Sequence, residues 1–186
     1  MEKIAVVGLG GVGSFCAELL AREGHSLILI DYDTYESKNT NQHMFREEHI
    51  GKKKVDVVKE RLSSLTSVET LAQRVEESSF KASIVVDCTD NRVSRLATLE
   101  KAKEMGATYA MVGCSGEMAM TTIGSKGIER LYSREGSAER SSAVVACSAA
   151  ALGVNNLLNY LRGDGVVFPK AIIFNVEKNI IEVVDL

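Results

Sequence analysis

"VVGLGGVGSFCAELLAREG", residues 6 to 24, decides how the rest of the chain is read. The apolar run "KIAVVG" (3–8) leads into Gly8-x-Gly10-x-x-Gly13, and a helical pattern follows over 14–23. Strand, glycine loop and helix in that order are the setting in which such glycines hold a phosphate. Glycine permits the tight turn and lets a phosphate reach the backbone N–H groups at a helix N-terminus. Gly11 adds a fourth glycine to the loop. The motif alone does not choose between NAD, FAD and ATP.

Outward from this loop, strands and helices alternate. "SLILID" (26–31), "SIVVDC" (83–88) and "TYAMVG" (108–113) are short apolar runs, as buried parallel strands require. Helices are predicted over 52–65, with Val55, Val58, Leu62 and Leu65 on one face, and over 92–105, capped by Gly106. The expected fold is α/β and Rossmann-like: a mostly parallel sheet with helices on both faces and an antiparallel C-terminal extension. That extension comprises a strand within 117–125, a polar surface loop over 126–142 and a helix over 143–162. A hairpin then turns around Glu177 to Asn179. Ala146, Ala149, Ala150 and Gly153 on the late helix would let another backbone approach, within one subunit or across a homodimer. One domain over 1–186 is the economical reading.

Composition narrows the classes. The 186 residues are 45% hydrophobic and 25% charged, as in ordinary globular chains, and the net charge of −3 offers no general attraction to nucleic acid or acidic lipid. The apolar run at 143–154 is too short to span a bilayer, and the first apolar run reads as a strand and not a secretory core. No nucleic-acid or membrane partner is expected, and a cytoplasmic location is. Cys16, Cys88, Cys114 and Cys147 stand without a C-x-x-C pair, so no structural zinc is expected.

The polar residues beyond the glycines are more numerous than a dehydrogenase needs. Asp31 ends the second strand, where an acid meets ribose hydroxyls, and Asp33 shares its face if the strand continues. Glu36, Asn39 and Asn41 follow; the two amides suit donors for a phosphate or carboxylate, and a polar loop capping the next element is the other reading. Lys52, Lys53 and Lys54 begin a helix, where lysines oppose the helix dipole; a nearby anion explains them, and so does a solvated run. In "VVDCTDN", capping explains either Asp90 or Asn91 but not these together with Asp87 at the carboxyl edge of the sheet. A carboxylate there suits Mg²⁺.

Together, "GLGGVG" (8–13), "DYDTYESKNTNQH" (31–43), "GKKK" (51–54) and "DCTDN" (87–91) resemble, in order and spacing, the ThiF/MoeB/HesA superfamily of ubiquitin-activating-type adenylating enzymes, and most of all its short ThiF-like branch. "AVVACSAAALGVNNLLNYLRG" and "AIIFNVEKNIIEVVDL" resemble that family's late helix and closing hairpin, so the resemblance covers nearly the whole chain. It implies ATP with Mg²⁺, and adenylation of the C-terminal glycine of a small ubiquitin-like or sulfur-carrier protein ending in Gly-Gly. The setting implied is thiamine, molybdopterin or related sulfur-transfer biosynthesis. By the same resemblance Gly11 lies on the phosphate loop, Asp31 holds the ribose, Asn39 and Lys54 contact phosphates, Asp90 binds Mg²⁺, and the protein is a homodimer.

There are departures. The family arginine falls at Gln42 and the following glutamine at His43, so a guanidinium is replaced by a neutral amide in the set expected to line the nucleotide; Arg46 lies nearby. The loop at 126–142 carries no cysteine, so a covalent step would fall to Cys114 or Cys147, and none is expected. Gln42 favours a rival reading, a degenerate ATP-binding module without turnover. An NAD(P)-dependent oxidoreductase is the third; Asn39, Lys54 and the Asp87–Asn91 cluster are residues hydride transfer does not need.

Overall fold

The computed structural model describes residues 1–39, 46–132 and 139–186. β1 (Lys3–Val7), β2 (Ser26–Ile30), β3 (Val68–Leu71), β4 (Ile84–Asp87), β5 (Thr108–Ser115), β6 (Met118–Ile123), β7 (Lys170–Asn175) and β8 (Ile180–Asp185) form one sheet in the order β3-β2-β1-β4-β5-β6-β7-β8. The first five strands pair in parallel and the last three add antiparallel. The helices are α1 (Gly11–Arg22), α2 (Lys54–Leu62), α3 (Arg92–Met105) and α4 (Ala143–Leu161).

The centre of the sheet is buried on both sides, which is why β1 and β4 read as continuous apolar runs, while β8 at the far edge is largely exposed. On one face Cys16, Ala17 and Leu20 of α1, Val55 and Val58 of α2, and Ala149 and Leu157 of α4 pack on Ile4, Val6 and Val112. On the other, Leu99 and Ala102 of α3 pack with Tyr109, Met111, Ile128 and Tyr132. This is the expected Rossmann-like architecture. Strand order reverses at β1, with β2 on one side and β4 on the other, so the crevice for a ligand opens at the carboxyl ends of β1 and β4.

Several local expectations are corrected. β3 was not foreseen: it is four residues long, half-buried and at the sheet edge, too short for an alternating pattern to show. α2 ends at Leu62, with Ser63 as its C-cap, so Leu65 lies beyond the helix and is 42% exposed, while Val57 joins the buried face. The polar 126–142 stretch is not wholly surface loop, because a 3-10 turn, Ile128–Tyr132, buries both its end residues. α3 ends on Gly106 in the left-handed conformation (φ 62°), as its sequence requires.

α4 answers the question raised by its small residues. Ala146, Ala149 and Ala150 are buried inside the subunit. A Cβ on Gly153 would lie 2.4 Å from Val112 Cγ2. The neighbour approached is the side chain of the chain's own Val112, so these small residues pack inside the subunit. The helix runs beyond the apolar stretch 143–154 to 19 residues, with hydropathy 1.4. By length and composition it is enough to cross a bilayer; in the structure 44% of its most apolar 18-residue stretch is buried.

Candidate functional site

The glycine loop is shaped by contact as much as by conformation. Gly8 has φ +84°, and a Cβ on Gly13 would lie 1.7 Å from the Gly8 carbonyl oxygen. Gly13 therefore sets how closely α1 packs on the end of β1. A Cβ on Gly10 would meet nothing within 4 Å. Gly10 is the N-cap of α1 and has no side chain with which to cap it, and the first turn, beginning at Gly11, carries no acid. That leaves an uncapped helix N-terminus beside open space, the arrangement that suits a phosphate.

Asp31, 8% exposed, ties this loop to the end of β2. Its Oδ2 accepts the Leu9 N–H at 2.6 Å and its Oδ1 the Asp33 N–H at 2.8 Å. Burial pushes the carboxyl above its ordinary value, against the pull of Lys54 and of the two backbone donors. Each oxygen keeps acceptor capacity for a further donor such as a ribose hydroxyl.

Two residues on, Asp33 Oδ2 receives Lys54 Nζ at 2.7 Å. Lys54 is 7% exposed, the first residue of α2, and its backbone N–H donates to the Asp33 carbonyl at 3.1 Å. Tyr35 N–H to Lys52 O and Gly51 N–H to Tyr35 O extend this zipper, so segment 31–36 is fastened to 51–54 by backbone bonds. Lys54 is thus no solvated lysine. Lys53 Nζ bonds the Tyr32 carbonyl at 2.8 Å, and Lys52 is exposed. Asn39 turns its Oδ1 back to the Glu36 N–H at 2.9 Å, closing the local 3-10 turn Ser37–Asn39. Asn41, Gln42 and His43 lie outside the described residues. Arg46 is exposed, 3.5 Å from Glu48.

The 87–91 motif follows β4 directly opposite the glycine loop: Val7 pairs with Asp87, and a Cβ on Gly8 would touch the Cys88 carbonyl at 3.0 Å. Asp90 is exposed, and Asn91 caps α3 by accepting the Ser94 N–H at 2.9 Å. Asp87 has no exposed surface; its carboxylate is bonded to Thr89 and Tyr109 within the protein. Among the described residues no cluster of three or more His, Cys, Asp or Glu stands ready to hold a metal ion. Cys147 is exposed on α4 and Cys114 is half-buried in β5.

The structure therefore gathers Gly8, Gly10, Gly11, Gly13, Asp31, Asp33, Lys54, Asp90 and Asn91 around the carboxyl ends of β1, β2 and β4, with Asp87 beneath them. Tyr109, Tyr132 and Arg95, which are not among the residues singled out by sequence, surround Asp87. The signal was a tyrosine inside an otherwise apolar strand, whose hydroxyl needs a buried partner.

Comparison with known proteins agrees with this geometry. The ThiF family model matches residues 1–167. The chain is 30% identical over 207 residues to "Ubiquitin-like modifier-activating enzyme 5" of Oryza sativa subsp. japonica, across 89% of this chain and 49% of that protein. It is 31% identical over 210 residues to the Arabidopsis thaliana protein of the same name, with the same two coverages of 89% and 49%. The chain thus spans about half the length of these curated relatives. Among solved structures, E. coli MccB with ATP superposes with a TM-score of 0.80 at 22% identity, over 99% of this chain and 63% of that one. MccB with MccA also gives 0.80, at 23% identity, with coverages of 99% and 63%. At such identities these likenesses speak for the fold. By the match of its family model over most of its length, the chain belongs to the ThiF family.

Proposed function

We propose that this chain binds ATP at the glycine loop and transfers AMP to the C-terminal carboxylate of a small ubiquitin-like or sulfur-carrier protein ending in Gly-Gly. The observation that carries the reading is Lys54, buried, paired to Asp33 at 2.7 Å, and linked through Asp31 to the glycine loop. Hydride transfer has no use for a buried cation there. Displacement at phosphorus does, because negative charge gathers on the departing pyrophosphate.

The residues fit the nucleotide. Open space at Gly10 admits a phosphate to the uncapped N-terminus of α1, and Asp31 retains acceptor capacity for the ribose. A carboxylate oxygen of the partner's last glycine attacks the α-phosphorus, the bond to the bridging oxygen breaks, and pyrophosphate leaves. Lys54 holds positive charge near the leaving group, and Asn39 and Gln42 are assigned to the phosphates. Asp90, exposed beside the loop, suits Mg²⁺, which takes one or two carboxylates, water and phosphate oxygens in place of an all-protein cage. Bound there, Mg²⁺ would neutralise phosphate charge. The finer assignments, a sulfur-transfer step of the thiamine or molybdopterin kind, a cytoplasmic homodimer, and a reaction that stops at the acyl-adenylate, belong to the same proposal.

Gln42, where the family has arginine, favours the second reading, a module that holds ATP without turnover. Calorimetry tests the ligand common to both: Mg-ATP should bind, and NADH and NADPH much more weakly. The reverse ranking removes both and restores the oxidoreductase.

A further inference from the structure

Asp87 was a candidate nucleotide contact, yet its carboxylate is occupied from inside. Oδ1 accepts the Thr89 N–H at 2.9 Å and the Thr89 hydroxyl at 2.7 Å. Oδ2 accepts the hydroxyl of Tyr109, itself 1% exposed. Tyr109 and Tyr132 hydroxyl oxygens stand 2.7 Å apart. Tyr109 gives its only proton to Asp87, so Tyr132 donates to Tyr109. Arg95 closes the group: its guanidinium carbon lies 5.7 Å from the Tyr132 ring centre, and Nη1 is buried 3.9 Å from Asp87 Oδ2, with no hydrogen-bond partner among the described residues. Four elements, β4, β5, the Ile128–Tyr132 turn and α3, are joined at one carboxylate.

A buried charge with two tyrosines is a costly way to fill a core, since apolar side chains of similar volume serve stability as well or better. What the cluster holds is the start of the 87–91 motif. The two bonds that Thr89 donates to Asp87 fold the chain back after β4, leaving Asp90 exposed and Asn91 in place to cap α3.

We propose that Tyr109 and Tyr132 are positioning residues that act through Asp87 to hold the turn 89–91 and so aim Asp90 at a nucleotide-bound metal ion. The role given to Asp90 rests on the adenylation reading; the hold on the turn does not. Both tyrosines are buried, Tyr109 at 1% and Tyr132 at 6% exposed, and act at a distance from the loop. Burial and the charge of Asp87 keep both phenols protonated well beyond the ordinary tyrosine range, so the donor chain persists at physiological pH.

The test compares wild type, Tyr109→Phe, Tyr132→Phe and Asp90→Ala, with each tyrosine variant also made in Asp90→Ala. Amide hydrogen exchange on the free protein reads the turn, and calorimetry reads ATP binding with and without Mg²⁺. Loss of the Tyr109 hydroxyl should speed exchange at Thr89 by roughly ten- to a hundredfold, the weight of one hydrogen bond to a charged group, leaving β1 and β2 amides unchanged. The Mg²⁺ needed for half-maximal Mg-ATP binding should rise roughly ten- to a hundredfold, as when an outer partner of a metal ligand is removed. Metal-free ATP affinity should stay as in wild type, and the effect should vanish in Asp90→Ala. Tyr132→Phe should act in the same direction more weakly, and carries the test if Tyr109→Phe does not fold. Unchanged exchange at Thr89, an unchanged Mg²⁺ requirement, or an equal loss in Asp90→Ala overturns the proposal. A wild type that binds no Mg-ATP overturns the adenylation reading and with it the metal role of Asp90, an outcome visible before any variant is compared.

Discussion

Lys54 Nζ lies 2.7 Å from Asp33 Oδ2, the lysine side chain 9% exposed and the aspartate side chain 43%. The partner open to water is the anion, so the pair adds little to folding, at most about 1 kcal/mol. It keeps a cation poised beside the glycine loop. Lys54→Met retains the aliphatic stem and removes the charge. Partner-dependent ATP–pyrophosphate exchange should fall by roughly a hundred- to a thousandfold, or about 3 to 4 kcal/mol in the transition state. The urea-unfolding free energy should move by no more than about 1 kcal/mol. Retained exchange would free Lys54 of its proposed role.

The glycines should separate by task. Gly13→Ala places a Cβ 1.7 Å from the Gly8 oxygen and should destabilise by about 3 kcal/mol or more, the upper end for overpacking. Gly10→Ala meets open space, and its cost to folding should be that of a poorer N-cap, about 1 kcal/mol. Its cost to ATP binding should be larger, because the new methyl stands where a phosphate would approach. Thermal melts and ATP titrations of the two variants check the contrast; equal loss of ATP affinity and stability in Gly10→Ala would count against the phosphate site.

Gly153→Ala should lower stability by about 1 to 3 kcal/mol, because its methyl would press on Val112 Cγ2 at 2.4 Å. Sedimentation of the same variant should show the association state of wild type. A change in association with no change in stability would return this face to an interface.

Stability should fall in strong alkali for a stated reason. Burial, with the charge of Asp87, raises Tyr132 to about 12, against the opposing influence of Tyr109 and Arg95. A phenol whose folded value exceeds its unfolded value of about 10 contributes stability that is complete below pH 10. That contribution is lost as pH rises through about 12. Unfolding measured from pH 9 upward should therefore decline across this window, and less steeply in Tyr132→Phe. Equal slopes would argue that the hydroxyl is not held as described.

Much of this arrangement was legible in the residues. Gly8, Gly13 and the strand before them announced a close strand–helix turn, and Gly106 announced the end of α3. Asp31 was placed at the right strand end because parallel strands are short and uniformly apolar. What stayed hidden depends on distant neighbours. β3 is a half-buried edge strand, whose pattern four residues are too few to display. The small residues of α4 fit an internal contact and a subunit contact equally until Val112 is seen beneath Gly153. That Asp87 faces inward follows from Tyr109 on the neighbouring strand and Tyr132 after the following hairpin, 22 and 45 residues away in sequence. No local pattern reports such a pairing.

The central claim is a reaction, and ATP–pyrophosphate exchange reads it most directly. Purified protein, Mg-ATP and labelled pyrophosphate should exchange label only when a small protein with a free Gly-Gly C-terminus is added. Blocking that carboxylate by amidation should abolish exchange, as should Lys54→Met. Gln42→Arg should raise exchange or tighten ATP if the neutral amide is a handicap. Absence of exchange with every Gly-Gly-ended carrier offered, in wild type and in Gln42→Arg alike, would contradict adenylation and leave a nucleotide-binding module in its place.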